Sequence, residues 1–153
     1  MLACMKRVEN KSHCPVNFAL ETFGDAWSLL IVRDIVFWGK RTYGEFLDSS
    51  EGIATNVLAT RLAHLEQRGV LSKGPHETDK RKDVYSLTEK GLGLIPILLE
   101  MSGWSAQYDA ETTAPQQFVA SVYADRDKMF RLVQDTVLSG GSLFGAERPL
   151  VKR

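Results

Sequence analysis

The sequence has no surplus of charge of either sign: 19 Lys and Arg are balanced by 19 Asp and Glu across 153 residues. A neutral chain does not hold nucleic acid by bulk attraction, so any electrostatic footprint on DNA must be local. Cysteine is scarce too. Cys4 and Cys14 lack the Cys-x-x-Cys spacing of a zinc site, and His64 and His76 fall on separate expected elements, so no metal site is expected. A glycine-rich phosphate loop is missing, since Gly91-Leu92-Gly93 opens a helix and lacks the rest of that fingerprint. No stretch has the apolar length of a leader or a membrane span, so the chain is expected in the cytoplasm, off the membrane, with its thiols reduced. Repeats and low-complexity tracts are absent. These shortages leave no catalytic residue and no cofactor to expect. What remains, at 44% hydrophobic content, suffices for one core with extensions.

The stretch that organises the rest is Thr42 to Leu87. Thr42-Tyr43-Gly44-Glu45 is a capping box: the Thr42 hydroxyl can accept from the Glu45 amide while the Glu45 carboxylate reaches back to the Thr42 amide. A short helix therefore starts here and ends in Ser49-Ser50-Glu51-Gly52. Beyond Ile53, the apolar residues Val57, Leu58, Leu62 and Leu65 recur at helical spacing until Gly69. The outward face of this second helix carries Thr55, Asn56, Ala59, Thr60 and Ala63, a short and almost acid-free surface. Amide and hydroxyl groups can read base edges in the major groove, and an alanine can touch a thymine methyl. An exposed polar face is also the ordinary state of a surface helix. The runs Val70–Lys73 and Val84–Leu87 that follow read as two strands joined by a loop ending in Lys80-Arg81-Lys82. Two helices, a tight turn and a hairpin with a basic tip make a winged helix-turn-helix, whose tip can meet phosphates beside the groove.

The flanks read as helices. Pro15 suits a first helical position with Cys14 at the cap, and this helix should stop at Gly24. Asp25 can cap a second helix over Ala26–Trp38, apolar on nearly every side and hence the buried centre. Thr88 caps a helix that runs through Leu98 to Trp104, with Pro96 expected to bend it. The apolar surface of that helix exceeds what a small wing covers, so it is expected to serve a dimer interface with the first helix. Ala110–Pro115 reads as a linker, Gln116–Leu138 as helix that Asp125 can split in two, and the glycine-rich tail from Ser139 as loosely held. The expected division is residues 1–13 as an arm, 14–108 as the winged helix-turn-helix and 109–153 as a helical extension with a loose tail. The expected class is mainly α with a small antiparallel wing.

Cys14-Pro15-Val16, Gly24-Asp25-Ala26-Trp27-Ser28-Leu29-Leu30, Gly52-Ile53-Ala54-Thr55-Asn56-Val57-Leu58 and Tyr85-Ser86-Leu87-Thr88-Glu89-Lys90-Gly91 together resemble the HxlR-type family of bacterial transcriptional regulators. The resemblance covers about residues 14–105. It implies a homodimer formed through the first helix and the C-terminal helices, bound to an inverted-repeat operator in double-stranded DNA at the nucleoid. Repression is the default that it implies. Ala54–Arg68 is then the recognition helix, with Thr55, Asn56, Ala59 and Thr60 facing bases and Arg41, Arg61, Lys80, Arg81 and Lys82 facing phosphates. An ion pair from Arg61 to Glu45 or Asp48 competes with the phosphate role. Some members sense electrophiles or oxidants through a cysteine matching Cys14. That thiol would sit at the positive end of a helix dipole near Lys11 and His13, so an electrophile or another small molecule is a candidate inducer. The other reading of the same fold is a protein-protein docking module that binds no specific DNA.

Overall fold

The computed structural model describes residues 11–145. Eight helices and one hairpin follow in the order α1 (Pro15–Phe23), α2 (Ser28–Trp38), α3 (Tyr43–Leu47), α4 (Thr55–Gln67), β1 (Leu71–Pro75), β2 (Asp83–Leu87), α5 (Glu89–Leu92), α6 (Ile95–Tyr108), α7 (Gln116–Ala124) and α8 (Arg126–Leu138). This is the mainly helical winged helix-turn-helix with an antiparallel wing.

Helix α2 lies at the centre, with Val32, Ile35 and Val36 fully enclosed and Ile31 nearly so. Burying each such aliphatic side chain contributes about 1.5–3 kcal/mol. The carboxylate of Asp25 accepts from the amides of Trp27 and Ser28 at 2.9 Å, which caps the helix as expected, although the regular turns begin at Ser28 rather than Ala26. Phe46 of α3 and Leu58, Leu62 and Leu65 of α4 close over α2 from one side. Both halves of the capping box form, Thr42 receiving the Glu45 amide and Glu45 the Thr42 amide.

The passage from α4 into the wing turns on Gly69, whose φ of 72° lies in the left-handed region that favours glycine. The amide of Val70 then returns to the Leu65 carbonyl at 2.9 Å. Strands β1 and β2 pair antiparallel with Leu71 opposite Leu87 and Pro75 opposite Asp83. Each strand runs slightly further toward the tip than its apolar run. Toward the tip-ward end of β2 a bridge joins Thr42 to Val84, so the start of α3 is stitched to the hairpin.

Three expectations are corrected. Pro96 does not bend a continuous helix: α5 ends at Leu92, and Pro96 falls in the first turn of a new helix, α6, where its missing amide costs no internal bond. The tail is not loose from Ser139. Leu143 is fully buried, and the amides of Leu143 and Phe144 donate to the carbonyls of Val36 and Phe37 at the C-terminal end of α2. That end of α2 has no intrahelical partner for its last carbonyls, so the returning chain satisfies them. The rest of the expected loose tail, residues 146–153, lies outside the described residues, as does Cys4. Finally, the apolar surface of α6 is not left entirely for a second copy. Helices α7 and α8 pack on it within the chain, burying Phe118, Val122, Met129 and Val133 in the same core. Of the alternatives for Gln116–Leu138, the split is the one formed: Asp125 caps α8, accepting from the Lys128 amide at 2.9 Å. No helix among the described residues is long and apolar enough to cross a membrane.

Candidate DNA-reading surface

The first turns of α4 present Thr55, Asn56, Ala59 and Thr60, all exposed, while Leu58, Leu62 and Leu65 are fully enclosed on the opposite side. That division fixes which face looks out. The Tyr43 hydroxyl donates to the Thr55 carbonyl at 2.8 Å and so ties the N-terminus of α4 to α3. Thr60 donates its hydroxyl to the Asn56 carbonyl at 2.9 Å, leaving the oxygen able to accept. The Asn56 amide makes no hydrogen bond to another described side chain or backbone group, so its donor and acceptor both face outward.

Arg61 points elsewhere. Its guanidinium stands 3.3 Å from the Asp25 carboxylate, and both side chains are about 27% exposed, so the pair joins α4 to the turn between α1 and α2. The ion-pair alternative therefore forms, but with Asp25 instead of Glu45 or Asp48; Glu45 is occupied by the capping box and the Arg41 amide. Burial works against ionising Asp25, but the Ser28 hydroxyl, the amides of Trp27 and Ser28 and the Arg61 charge outweigh it, holding the carboxyl below its ordinary value.

The wing divides the remaining cations. Lys80, Arg81 and Lys82 are exposed at the tip. Arg81 leans on the Asp79 carboxylate at 3.1 Å, and this contact keeps Asp79 below the usual carboxylate range. The tip is shaped by His76, whose Nδ1 accepts from the amides of Thr78 and Asp79 at 3.2 Å. Arg41 is not at the tip. It sits half-buried alongside the middle of β2, where its carbonyl accepts the Tyr85 amide at 2.8 Å and its Nη2 is enclosed with no partner among the described residues.

Two links reach α4 from α1. The Thr22 carbonyl stands 2.9 Å from His64 Nε2, and since a carbonyl can only accept, that nitrogen carries the hydrogen. Lys90 donates to the Arg68 carbonyl at 2.6 Å and lies 5.4 Å over the Phe18 ring. Cys14 is exposed at the cap of α1. Sequence reasoning missed Tyr43, His64, His76 and the Asp25–Arg61 pair. Tyr43 had a local signal, as the residue after a helix cap, and His76 had one in the Thr78 and Asp79 amides two and three positions on; His64 and the Asp25–Arg61 pair meet partners that folding alone brings near.

The HxlR-like helix-turn-helix family profile matches residues 22–113. An uncharacterised HTH-type transcriptional regulator of Synechocystis is 31% identical over 102 residues, 64% of this chain and 75% of that one. Among solved structures, PA1607, a candidate transcription factor, superposes with a TM-score of 0.62 at 38% identity, over 70% of this chain and 73% of that one. The oxidised form of the redox regulator HypR superposes at 0.54 with 29% identity, over 61% and 96%. With its helix-turn-helix, wing and outward polar face in place, the chain belongs to the HxlR-like helix-turn-helix family of transcriptional regulators.

Proposed function

We propose that the protein is a sequence-specific repressor that binds an inverted-repeat operator as a homodimer in the bacterial cytoplasm, at the nucleoid. The observation that carries this reading is the outward face of α4, where Thr55, Asn56, Ala59 and Thr60 stand free of acid on a helix pinned at its start by Tyr43. Two such helices, one from each protomer, enter successive major grooves with half-sites about one helical turn apart. Lys80, Arg81 and Lys82 reach phosphates beside the groove, and the Arg81–Asp79 contact opens as they do. Arg61 and Arg41 complete the phosphate set at the edges of the surface, Arg61 by exchanging Asp25 for a phosphate oxygen.

The dimer uses the exposed apolar residues of α1 and α6. Val16, Phe18 and Leu20 are about 63, 44 and 59% exposed, and Trp104 and Tyr108 about 65 and 68%. Large aromatic side chains left this open in a regulator with a closed core mark an interface.

Cys14 is the sensor in this reading. Its thiol is exposed at the start of α1, and α1 reaches the recognition helix through Thr22–His64 and Lys90, so modification at one end of α1 can shift the other. Likeness to a redox regulator, HypR, supports the choice.

The test is a mobility shift with DNA flanking the protein's own gene, using reduced and diamide-treated protein. A sequence-specific shift that diamide abolishes, and that Cys14→Ser makes insensitive to diamide, is expected. A shift untouched by diamide would remove the sensor and keep the regulator; no specific shift would overturn the operator reading.

A further inference from the structure

We propose that the groove between α2, α6 and the segment 112–118 is a binding site for an uncharged, largely aromatic small molecule that carries a hydrogen-bonding hydroxyl or amine. The assignment goes beyond DNA binding and is tested without DNA. The groove has a volume of about 930 Å³, within the range that takes a molecule of several rings.

Its inner wall is aromatic. Phe37, Phe118 and Phe144 meet edge to face, with centroids 6.2 Å apart for Phe37 and Phe118 and 5.3 Å for each of the other two pairs. Ring edges presented in this way favour the face of a further ring. Leu30 and Leu98 extend the apolar wall, and Trp38 and Met101 stand at the mouth about 43 and 47% exposed.

The charge at the other end is spent before a ligand arrives. Arg33 donates to Asp34 at 2.6 and 2.9 Å and forks onto both oxygens of Glu51, while Lys40 reaches Asp34 at 3.4 Å and Ser49 at 2.9 Å. Two cations face two carboxylates, so the groove offers no net charge to an ionic ligand. An added ion would have to break a satisfied network and lose its own hydration.

Hydroxyl groups supply the polar contact. Ser102 gives its hydrogen to the Leu98 carbonyl at 2.9 Å, which leaves its oxygen free to accept from a ligand. Thr112 Oγ1 accepts from the Ala114 amide at 3.3 Å and keeps a hydrogen to give. Phe118 and Phe144 lie beyond the family match at residues 22–113, so this chain's own C-terminal segment completes the wall.

The test uses N-phenyl-1-naphthylamine, an uncharged two-part aromatic amine whose fluorescence rises in apolar surroundings, titrated into the full-length protein. A saturable rise at one site per protomer is expected. Ser102→Trp and Thr113→Trp, which fill the groove from opposite sides, each weaken binding at least tenfold, and Leu138→Ser, exposed and outside the groove, leaves it within twofold. The sulfonated analogue 8-anilinonaphthalene-1-sulfonate binds at least tenfold more weakly than the neutral probe. If Ser102→Trp fails to fold, Thr113→Trp, on an exposed loop position, decides. No saturable signal from wild-type protein, unchanged binding in the tryptophan variants, or equal binding of the sulfonate would overturn the assignment.

Discussion

Asn56 and Arg81 are both exposed, but they are held differently, and the difference separates what each contributes to DNA binding. Asn56 sits in the first turn of a helix anchored by Tyr43, so its amide has a fixed place and both its hydrogen-bonding ends to offer. Removing a base-reading amide costs about 1–3 kcal/mol of discrimination. Asn56→Ala is therefore expected to weaken operator binding about 5- to 150-fold and to flatten preference between operator and scrambled DNA, read by titration at one salt concentration. Arg81 stands at the tip of a hairpin, exposed and paired with Asp79. Its loss should weaken all sequences alike and reduce the salt slope by about one counterion. Equal loss on every sequence from both variants would count against α4 as the reader. At this scale the polar face was legible because helical spacing alone says which residues look away from Leu58, Leu62 and Leu65. The partner of Arg61 was not, because Asp25 lies 36 positions away in the chain and no local spacing reports that approach.

Among the elements, two junctions hold the reading helix in place. One is where α5 meets the turn from α4 into β1. A Cβ on Gly91 would lie 2.2 Å from the Val70 carbonyl oxygen, and backbone cannot swing aside as a side chain can. The close approach also lets the Thr88 hydroxyl donate to the Gly69 carbonyl, the junction from α4 into the wing. Gly91→Ala is expected to destabilise the fold by about 1–3 kcal/mol, as overpacking does, seen as a lowered urea midpoint. Gly44→Ala, where a Cβ meets nothing within 4 Å, serves as its control and should show little change. The other junction is the turn from α3 into α4, pinned to α2 by Glu51 on Arg33 and by Ser49 on Asp34. The Arg33 fork holds Glu51 well below the ordinary carboxylate range, at about 2. With the folded value below the unfolded one, the ionised form contributes stability that is fully present above about pH 4.5 and is lost as pH falls toward 2. Thermal midpoints of wild type and Glu51→Gln should thus differ near neutrality and converge as pH falls through that window. A constant difference would assign the effect to packing. The capping box was legible from four residues because both its bonds are local. The break before α6 was not: Pro96 fits equally a bent helix or a new first turn, and the choice falls to how Gly91 docks on the wing.

For the molecule as a whole, the helical class and the wing followed from periodicity, but the fate of the C-terminal third did not. Glycines and small residues from Ser139 onward suggest a free end, yet the chain returns to cap α2 and seat Leu143, because α2 has carbonyls to satisfy and an apolar flank to cover. No pattern within the tail announces that vacancy. The same docking decides which apolar surface is left over. With α7 and α8 covering part of α6 within the chain, the open large apolar residues of α6 itself narrow to Met101, Trp104 and Tyr108, and α1 adds Val16, Phe18 and Leu20. Trp104 and Tyr108 lie against each other with centroids 5.3 Å apart and ring planes tilted by 48°, and so form one broad patch. A charge placed there should be tolerated by the protomer, since the side chain already faces outward, but not by a second copy laid over it. Trp104→Glu, alone or with Leu20→Glu, is expected to sediment as a folded monomer with a helical spectrum like wild type. Its binding to a single half-site should be unchanged, because the surface of α4 is untouched, while binding to the full inverted repeat falls by about 10²–10⁴ as the second half-site ceases to be held close to the first. A Trp104→Glu protein that stays dimeric would move the interface to another face. A monomer that keeps full affinity for the inverted repeat would mean that one protomer suffices.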